Sequence, residues 1–226
     1  MLRAQLIQLP WPKLKSNISV EEAIYKRRSH RAYKKTPLTI EEISQLLFAA
    51  QGITDRQQDL RTVPSAGRLY PVEIYLVSEK IKGILPGVYK YQFQTHQLIR
   101  TFKERKRKKL SEAAFFQFWI KKAPATIILC GVFKRTTEKY KGRGKRFVLM
   151  EIGHAAQNIS LQAVSLNLGT VCVGGFEDKE VKEVLRLKKE EKPLYLMPIG
   201  KIFKNCSRKE AEILEKYHQF LNGKSF

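Results

Sequence analysis

The chain has 226 residues, of which 43% are hydrophobic and 28% charged, a composition typical of a globular protein with one sizeable core or two small ones. No apolar run is long enough to span a bilayer, and Met1 to Trp11 lacks the apolar stretch of a secretory signal. We therefore expect no membrane partner from these features. The formal net charge of +22 keeps a basic nucleic-acid-binding protein open as an alternative to an enzyme.

The three cysteines are far apart in the sequence and odd in number. They form no CxxC pair, so a zinc site or a disulfide framework is not expected, and neither is any other metal site. Two of them, Cys130 and Cys172, lie in apolar runs typical of buried strands. We expect a reducing compartment and a cytoplasmic protein.

The positive charge is concentrated in two runs, residues 100–109 and 134–146, each with seven Lys or Arg side chains and one Glu. Such runs are most often solvated helix faces or loops. They leave the role of the charge open, because nucleic acid, an acidic peptide and a phosphorylated ligand would all suit it.

The first half of the chain combines two helices with three strands. Capping-box patterns at residues 19–22 and 39–42 open the helices. The first helix runs toward Lys26, and the second ends before Gly52, a natural C′ residue. One face of the second helix carries Ile43, Leu46, Leu47 and Ala50. The strands, joined by turns at Pro86-Gly87 and Gln94-Thr95, are Val72–Ser78, Val88–Phe93 and His96–Thr101.

The second half is dominated by a long amphipathic helix predicted at Val148–Leu168 and ended by Gly169. Its apolar stripe is Ile152, Ala155, Ala156, Ile159, Ala163 and Leu166. The other predicted elements are a helix at Glu104–Phe118, strands at Ala125–Val132, Thr170–Val173 and Leu194–Ile199, a short helix that Asp178 caps and that runs to Arg186, and a helix at Ser207–Phe220. Strands and helices do not alternate strictly, which indicates the α+β class.

A cluster of cations at residues 27–31, Arg-Arg-Ser-His-Arg, is the strongest local signal for a ligand. Guanidinium groups are permanently charged and grip phosphate through paired hydrogen bonds. The alternative is that these arginines cap the preceding helix by interacting with its dipole.

A second unusual segment, residues 61–71, reads Arg-Thr-Val-Pro-Ser-Ala-Gly-Arg-Leu-Tyr-Pro. Together with the arginine cluster it resembles the nitroreductase family of FMN-dependent oxidoreductases, and most closely the SagB/thiazole-oxidase-type branch. Further matching segments follow in the family's order to residue 201. They are residues 86–91, Lys139-Tyr140, residues 151–158, Gly174-Gly175-Phe176 and residues 198–201.

The resemblance implies a mostly antiparallel central sheet flanked by helices, in an interlocked homodimer with FMN at the subunit interface. The long helix would pack across that interface, where the small residues Gly153, Ala155 and Ala156 would allow close approach. A core helix within one subunit is the alternative. We expect residues 1–18 to be an N-terminal extension and residues 19–226 to form a single nitroreductase-like domain.

The resemblance also assigns residues to FMN. Arg27, Arg28 and Ser29 would hold the phosphate, Arg31 would lie near flavin N1 and C2=O, and Gly200-Lys201 would add a second phosphate contact, for which surface exposure of Lys201 is the alternative. A close-approach loop would come from the partner subunit, and its residues are Pro64, Ser65, Ala66 and Gly67. Gly174 and Gly175 would pass over the ring, although a plain turn fits them equally.

Lys139 and Tyr140 match the Lys-Tyr pair of branch members that oxidise azoline rings in peptides, where an amine and a phenol would relay a proton while hydride leaves to flavin N5 in a ping-pong cycle. The alternative is an ordinary dipeptide in a basic loop. The resemblance equally allows an NAD(P)H-dependent reductase of nitroaromatic or quinone substrates. The substrate is therefore a small molecule or a peptide.

Overall fold

A seven-stranded antiparallel sheet organises the computed structural model, which describes residues 6–203. In chain order the strands are β1 (Leu6–Gln8), β2 (Ile53–Asp55), β3 (Leu60–Arg61), β4 (Val72–Ser78), β5 (Gly87–Gln92), β6 (Gln97–Phe102), β7 (Ala125–Gly131), β8 (Leu168–Thr170) and β9 (Lys192–Lys201). The sheet order is β1-β6-β5-β4-β7-β9-β8, and β2 and β3 form a separate hairpin. The antiparallel pairing confirms the predicted α+β class.

Helices cover both faces of this sheet. They are α1 (Val20–Lys26), α2 (Ile40–Gln51), α3 (Arg107–Ala113), α4 (Phe118–Lys122), α5 (Phe133–Tyr140), α6 (Gly144–Ser165) and α7 (Asp178–Leu185). Successive residues of a strand point to opposite faces, so Ile74 and Leu76 of β4 join α2 and α6 in one core. Tyr75 and Val77 face the other core, with α3, α4 and α7.

Strand β1 adds residues from the predicted N-terminal extension to the edge of the sheet. It pairs with β6, and Leu9 behind it is only 2% exposed within the first core. The division of the chain at residue 18 stays a prediction. The C-terminal helix predicted at Ser207–Phe220 lies outside the described residues.

Of the two predicted capping boxes, the one at residues 39–42 is complete. The Thr39 hydroxyl accepts the Glu42 amide at 3.3 Å, and the Glu42 carboxylate accepts the Thr39 amide at 2.9 Å. Only half of the first box forms, since Ser19 accepts the Glu22 amide while the Glu22 carboxylate pairs with Lys26. Four side chains of α2 are fully buried as predicted: Ile43, Leu46, Leu47 and Ala50.

Gly52 ends α2 without being the predicted left-handed C′ residue. Its φ is −64° and its ψ 147°, because the chain continues directly into β2. A side chain at this position would instead collide with the ring of Phe48. Glycine is therefore required here for close packing rather than for backbone conformation.

The helix predicted at Glu104–Phe118 is wrong. It is interrupted after α3 by Phe115 and Phe116, which both have positive φ, and α4 begins only at Phe118. The long helix begins four residues before the predicted Val148 and ends at Ser165, so Gly169 lies in β8. Five of its six predicted stripe residues are buried: Ile152, Ala155, Ala156, Ile159 and Ala163.

Two further local expectations are corrected by the structure. Asp178 is the first residue of α7, and no side chain caps that helix, because Glu177 occupies the N-cap position. Lys139 and Tyr140 lie in the last turn of α5 and not in a loop. The basic run concealed this helix, since Thr136 is its only buried residue.

Replacing Thr39 by Ala should lower the free energy of unfolding by about 1 kcal/mol, because both hydrogen bonds of the complete capping box depend on this residue's conformation. Urea denaturation measures the change. The control is Ser19→Ala at the half-formed box, for which we expect a smaller loss. An equal loss in both variants would contradict the argument.

Candidate functional site

Arg27 and Arg28 follow α1 directly, and they meet the helix end through the backbone of Arg27 and the side chain of Arg28. Arg27 is the C-cap residue, and its amide donates to the Ala23 carbonyl. The Arg28 guanidinium donates from Nη1 to the carbonyl oxygens of Tyr25 and Arg27, both at 2.8 Å. The capping alternative is thus realised by Arg28, whose side chain nevertheless remains exposed to solvent.

Ser29 and His30 attach the arginine group, which is Arg27, Arg28 and Arg31, to the edge strand β8. Ser29 forms a parallel bridge with Thr170, and the His30 amide donates to the Thr170 carbonyl at 2.9 Å. Burial and the neighbouring charges of Arg27 and Arg28 lower the pKa of His30, which therefore favours the neutral form. Thr170 Oγ1 is buried and has no hydrogen-bond partner within residues 6–203.

Arg31 and Lys201 each contact a side chain of a different helix. The Arg31 guanidinium lies 5.6 Å from the centroid of the Trp119 ring on α4 and is exposed. The Lys201 ammonium forms an ion pair with Glu42 of α2. Gly200 packs directly on Tyr33, where an added Cβ would lie 2.7 Å from that residue's own Cβ.

Gly174 and Gly175 form an exposed stretch after the backbone pairing of Val173 with Leu196. The Gly175 carbonyl accepts a hydrogen bond from Gln117 Nε2 at 3.0 Å. An added Cβ at Gly175 would approach no atom more closely than 3.9 Å. The surface here is open enough for a flat ligand.

The second group of predicted residues is built around Gly67. Its φ of 62° suits glycine, and an added Cβ would lie 2.7 Å from the Tyr140 hydroxyl and 3.0 Å from Lys139 Nζ. The loop is closed by Ser65, whose hydroxyl accepts the Tyr70 amide at 2.9 Å. The structure thus brings together, within one chain, the predicted loop and the predicted Lys-Tyr pair.

Helix α5, which carries the Lys-Tyr pair, is fastened by Arg135. Its guanidinium donates to the Tyr70 carbonyl at 2.9 Å and forms an ion pair with Glu73 of β4. Glu73 also accepts Lys90 Nζ at 2.9 Å, and the same ammonium lies 2.6 Å from Glu191. A chain of alternating charges therefore anchors the helix to the sheet.

Behind the loop lies a buried carboxyl group that was not predicted, that of Glu151 on α6. It is 3% exposed, and Gln51 Nε2 lies 3.5 Å from Oε1. Burial raises its pKa to about 7, against the opposing effects of Ser65, Gln51 and Arg61. Its position three residues after Val148 and four before Ala155 places it in the buried stripe, and that spacing was the available signal.

Arg61 completes this buried group. It donates from Nη1 to Gln51 Oε1 at 2.9 Å and lies against the rings of Phe93 and Tyr70, at 3.4 and 3.9 Å from their centroids. Its partial burial lowers its pKa from the usual value. The side chain forms part of the base on which the loop rests.

The two groups lie at different positions along α6. Burial raises the pKa of Cys172, whereas Ser160 of this helix and the charge of Arg27 lower it, so the arginine group lies near this part of α6. Glu151 marks the other group nine residues earlier, a rise of about 13 Å along a helix. An extended ligand, or a site shared between two copies of the chain, would be needed to use both.

The residues at the arginine group fit FMN chemically. Arg27, Arg28 and Arg31 present permanent positive charge, suited to a dianionic phosphate and to a ring that becomes anionic on reduction. The buried unpaired Thr170 Oγ1 offers a further polar contact. Gly174 and Gly175 leave space for a flat ring.

Comparison with known proteins places the sequence in one family. The model of the nitroreductase family matches residues 24–201. A provisionally named nitroreductase of Methanocaldococcus jannaschii is 47% identical over 184 residues, which are 81% of this chain and 91% of that protein. The microcin B17-processing protein McbC of Escherichia coli is 27% identical over 168 residues, which are 68% of this chain and 58% of that protein.

Solved structures share the fold. A provisionally named nitroreductase of Ralstonia eutropha aligns with a TM-score of 0.78 and 25% identity, over 88% of this chain and 90% of that one. A chain of the E. coli microcin synthetase McbBCD complex with truncated pro-MccB17 bound aligns with a TM-score of 0.67 and 24% identity, over 90% of this chain and 80% of that one. The Vibrio harveyi NADPH:FMN oxidoreductase complexed with NAD+ aligns with a TM-score of 0.59 and 20% identity, over 90% of this chain and 84% of that one.

Fold and relatives together define an oxidoreductase. The chain belongs to the nitroreductase family, and it resembles McbC both in sequence and in structure. Within the described part of the chain, no helix is both long and apolar enough to cross a membrane.

Replacing Glu151 by Gln should remove a pH dependence of stability. The folded-state pKa of about 7 lies above the usual 4.5, so the folded chain binds the proton more tightly. Ionisation of Glu151 therefore costs wild-type stability as pH rises from 4.5 to 7, by at most about 3 kcal/mol, and the cost is constant above 7. The variant should gain on wild type across that window.

Urea denaturation at several pH values measures this difference. Glu79→Gln serves as control, because it removes another buried carboxylate, one that pairs with Arg105 and lies outside the Gly67 loop. Parallel stability curves for wild type and Glu151→Gln would show that Glu151 does not titrate in this window.

Proposed function

We propose that the protein is an FMN-dependent oxidoreductase that dehydrogenates azoline rings in peptides. The observation that carries the proposal is the meeting of Lys139 Nζ and the Tyr140 hydroxyl at the Gly67 loop. An amine and a phenol at one point can hold and pass on a proton. The similarity to the microcin-processing protein McbC supports a peptide substrate.

FMN would be held at the arginine group. Arg27, Arg28 and Ser29 would bind its phosphate, and Gly174 and Gly175 would face its ring. Arg31 would stabilise negative charge on the ring. Gly200 would contribute backbone, and Lys201 would reach the phosphate by leaving Glu42, its present ion-pair partner. When bound, FMN supplies a ring that accepts hydride at N5 and delivers the electrons to oxygen or another acceptor.

The loop Pro64, Ser65, Ala66 and Gly67 would lie against the FMN held by the partner copy. Conversion of an azoline to an azole removes one hydride and one proton from the ring. FMN, when bound, would supply the hydride acceptor, and the Lys139-Tyr140 pair, held in place by the anchoring of α5 by Arg135, would take the proton.

A homodimer would bring the two groups of residues together. The face of α6 that turns away from the core exposes Leu149 (52%) and Met150 (57%) together with Gly153, and an added Cβ at Gly153 would meet no atom of the same chain. Apolar and small residues on one exposed helix face suit close packing against a second copy. Such a site would combine the arginine group of one copy with the Gly67 loop of the other.

The decisive experiment begins with the colour of the purified protein. We expect yellow protein that releases FMN on denaturation. Under anaerobic conditions, a peptide with one thiazoline ring should bleach the flavin absorbance and gain a thiazole. Bleaching by NADH or NADPH alone would favour the alternative, a nitro or quinone reductase. Colourless protein that takes up no FMN, but binds DNA with steep salt dependence, would overturn the proposal.

Replacing Lys139 by Ala or Tyr140 by Phe should slow peptide-driven bleaching by about 100-fold, the lower range for loss of a general acid or base. FMN content should stay at the wild-type level, because neither residue belongs to the arginine group. Stopped-flow absorbance measures the rate. Lys134→Ala is the matched control, since it removes an exposed lysine from the same helix. Wild-type rates in both variants would exclude a catalytic role.

Replacing Gly67 by Ala should displace the Lys-Tyr pair. The matched control is Gly83→Ala, because Gly83 also has positive φ, 81°, but no atom would lie within 4 Å of its Cβ. Both variants should lose about 1 kcal/mol of stability through backbone strain, and only Gly67→Ala should slow bleaching. Equal rates in both would show that the contact with Tyr140 does not matter.

A further inference from the structure

The two basic runs of the sequence, residues 100–109 and 134–146, differ in how far the fold neutralises their charge. In the first run, four of the seven cations form ion pairs: Arg105 and Arg107 with Glu79, Lys106 with Glu104 and Lys108 with Glu112. The Lys106 ammonium also lies 4.2 Å from the centroid of the Phe102 ring. The charges of the first run therefore serve mainly the folded structure itself.

The second run keeps most of its charge free. Lys134 and Arg135 each pair with a glutamate. The other five cations are exposed, and none of them forms an ion pair with a carboxylate of residues 6–203; they are Lys139, Lys141, Arg143, Lys145 and Arg146. Charge that a chain does not neutralise internally remains available to a partner of opposite sign.

This free charge surrounds the Lys139-Tyr140 pair. Lys141 and Arg143 stand two and four positions after Lys139, in the single 3₁₀ turn that joins α5 to α6. From the loop, Arg68 follows Gly67, the residue whose added Cβ would lie 2.7 Å from the Tyr140 hydroxyl. The Arg68 side chain is exposed, and no carboxylate in the described part of the chain pairs with it. Positive charge therefore flanks the pair on two segments of the chain.

Lys145 and Arg146 belong to a different surface. They lie one turn before Leu149 and Met150 on α6, on the face that would meet a second copy of the chain. A partner copy would cover them, so they are set apart from the cations beside the pair.

We propose that Arg68, Lys141 and Arg143 form a docking surface for acidic residues of the peptide substrate. The inference rests on the proposed function in taking the substrate to be a peptide. Exposed charges of one sign speed the encounter with a ligand of the opposite sign and select against ligands of the same sign. An acidic segment bound here would deliver its azoline ring to the pair that takes the proton.

The spacing of the cations limits where the acidic residues lie. With a rise of about 2 Å per residue in a 3₁₀ turn, the backbone from Lys139 to Arg143 spans about 8 Å. An extended peptide rises about 3.3 Å per residue and covers that span with about two or three residues. The acidic residues therefore lie within about three positions of the azoline ring.

The binding of two labelled peptides tests the docking surface without flavin and without turnover. Both peptides carry one thiazoline ring; one has two Asp residues within about three positions of the ring, and the other has Asn at the same places. Fluorescence anisotropy at low ionic strength should show about tenfold tighter binding of the acidic peptide, because each exposed charge pair contributes at most about a factor of five. High salt should remove the difference, since mobile ions screen exposed charges.

Two double variants locate the charge that is responsible. Lys141→Ala combined with Arg143→Ala should abolish the preference for the acidic peptide. The matched control is Lys103→Ala combined with Lys109→Ala, because these exposed cations of the first run also form no ion pair within residues 6–203. The control should keep the preference. Lys141→Glu combined with Arg143→Glu should reverse it, toward a third peptide that has Lys at the two positions.

The outcomes separate this inference from the proposed function. If wild type prefers the acidic peptide through Lys141 and Arg143 but a thiazoline peptide never bleaches its flavin, the proposed function fails and the docking surface stands. Equal binding of the two peptides by wild type would overturn the inference, and so would an equal loss of preference in the control. Salt-dependent binding of a DNA duplex that is lost in the Lys141 and Arg143 variant, while both peptides bind wild type alike, would assign the surface to nucleic acid instead.

Discussion

The buried stripe of α6 is the constraint on which the site depends. Because Ile152, Ala155 and Ile159 pack into the sheet, the rotation of this helix is fixed. That rotation turns Glu151 toward the Gly67 loop and Ser160 toward the arginine group, and it leaves Leu149 and Met150 outside. The packing of this one helix face thus determines which residues lie behind the loop, which lie near the proposed cofactor and which surface is open to a second copy.

Much of the fold could be predicted because its signals are local. The pattern at residues 39–42 is a complete capping box, and the predicted bounds of β4 agree with the structure. The break between α3 and α4 could not be predicted, since Phe115 and Phe116 adopt positive φ without being glycine. Helix α5 was also missed, because it buries almost nothing and its charges resemble those of a loop.

The candidate site shows the same difference between local signals, which could be read from the sequence, and contacts between distant residues, which could not. Residues that form contiguous motifs, such as the arginine group and the Gly67 loop, could be singled out from the sequence. The support beneath them could not, because it joins distant parts of the chain: Glu151 meets Gln51, and Arg61 lies against Phe93. A carboxylate within an apolar helical stripe was the one visible sign of that support.

The anchoring of α5 has a consequence for ionic strength. Mobile ions weaken attraction between exposed charges much more than between buried ones. Glu73 and Lys90, to which Arg135 leads, are largely shielded from solvent, whereas the Lys134–Glu138 pair on the same helix lies in it. Added salt should therefore weaken the Lys134–Glu138 pair more than the Arg135–Glu73 pair, in which Glu73 is shielded and Arg135 is 41% exposed. The charge of the surface and the position of the Lys139-Tyr140 pair would thus respond to salt to different degrees.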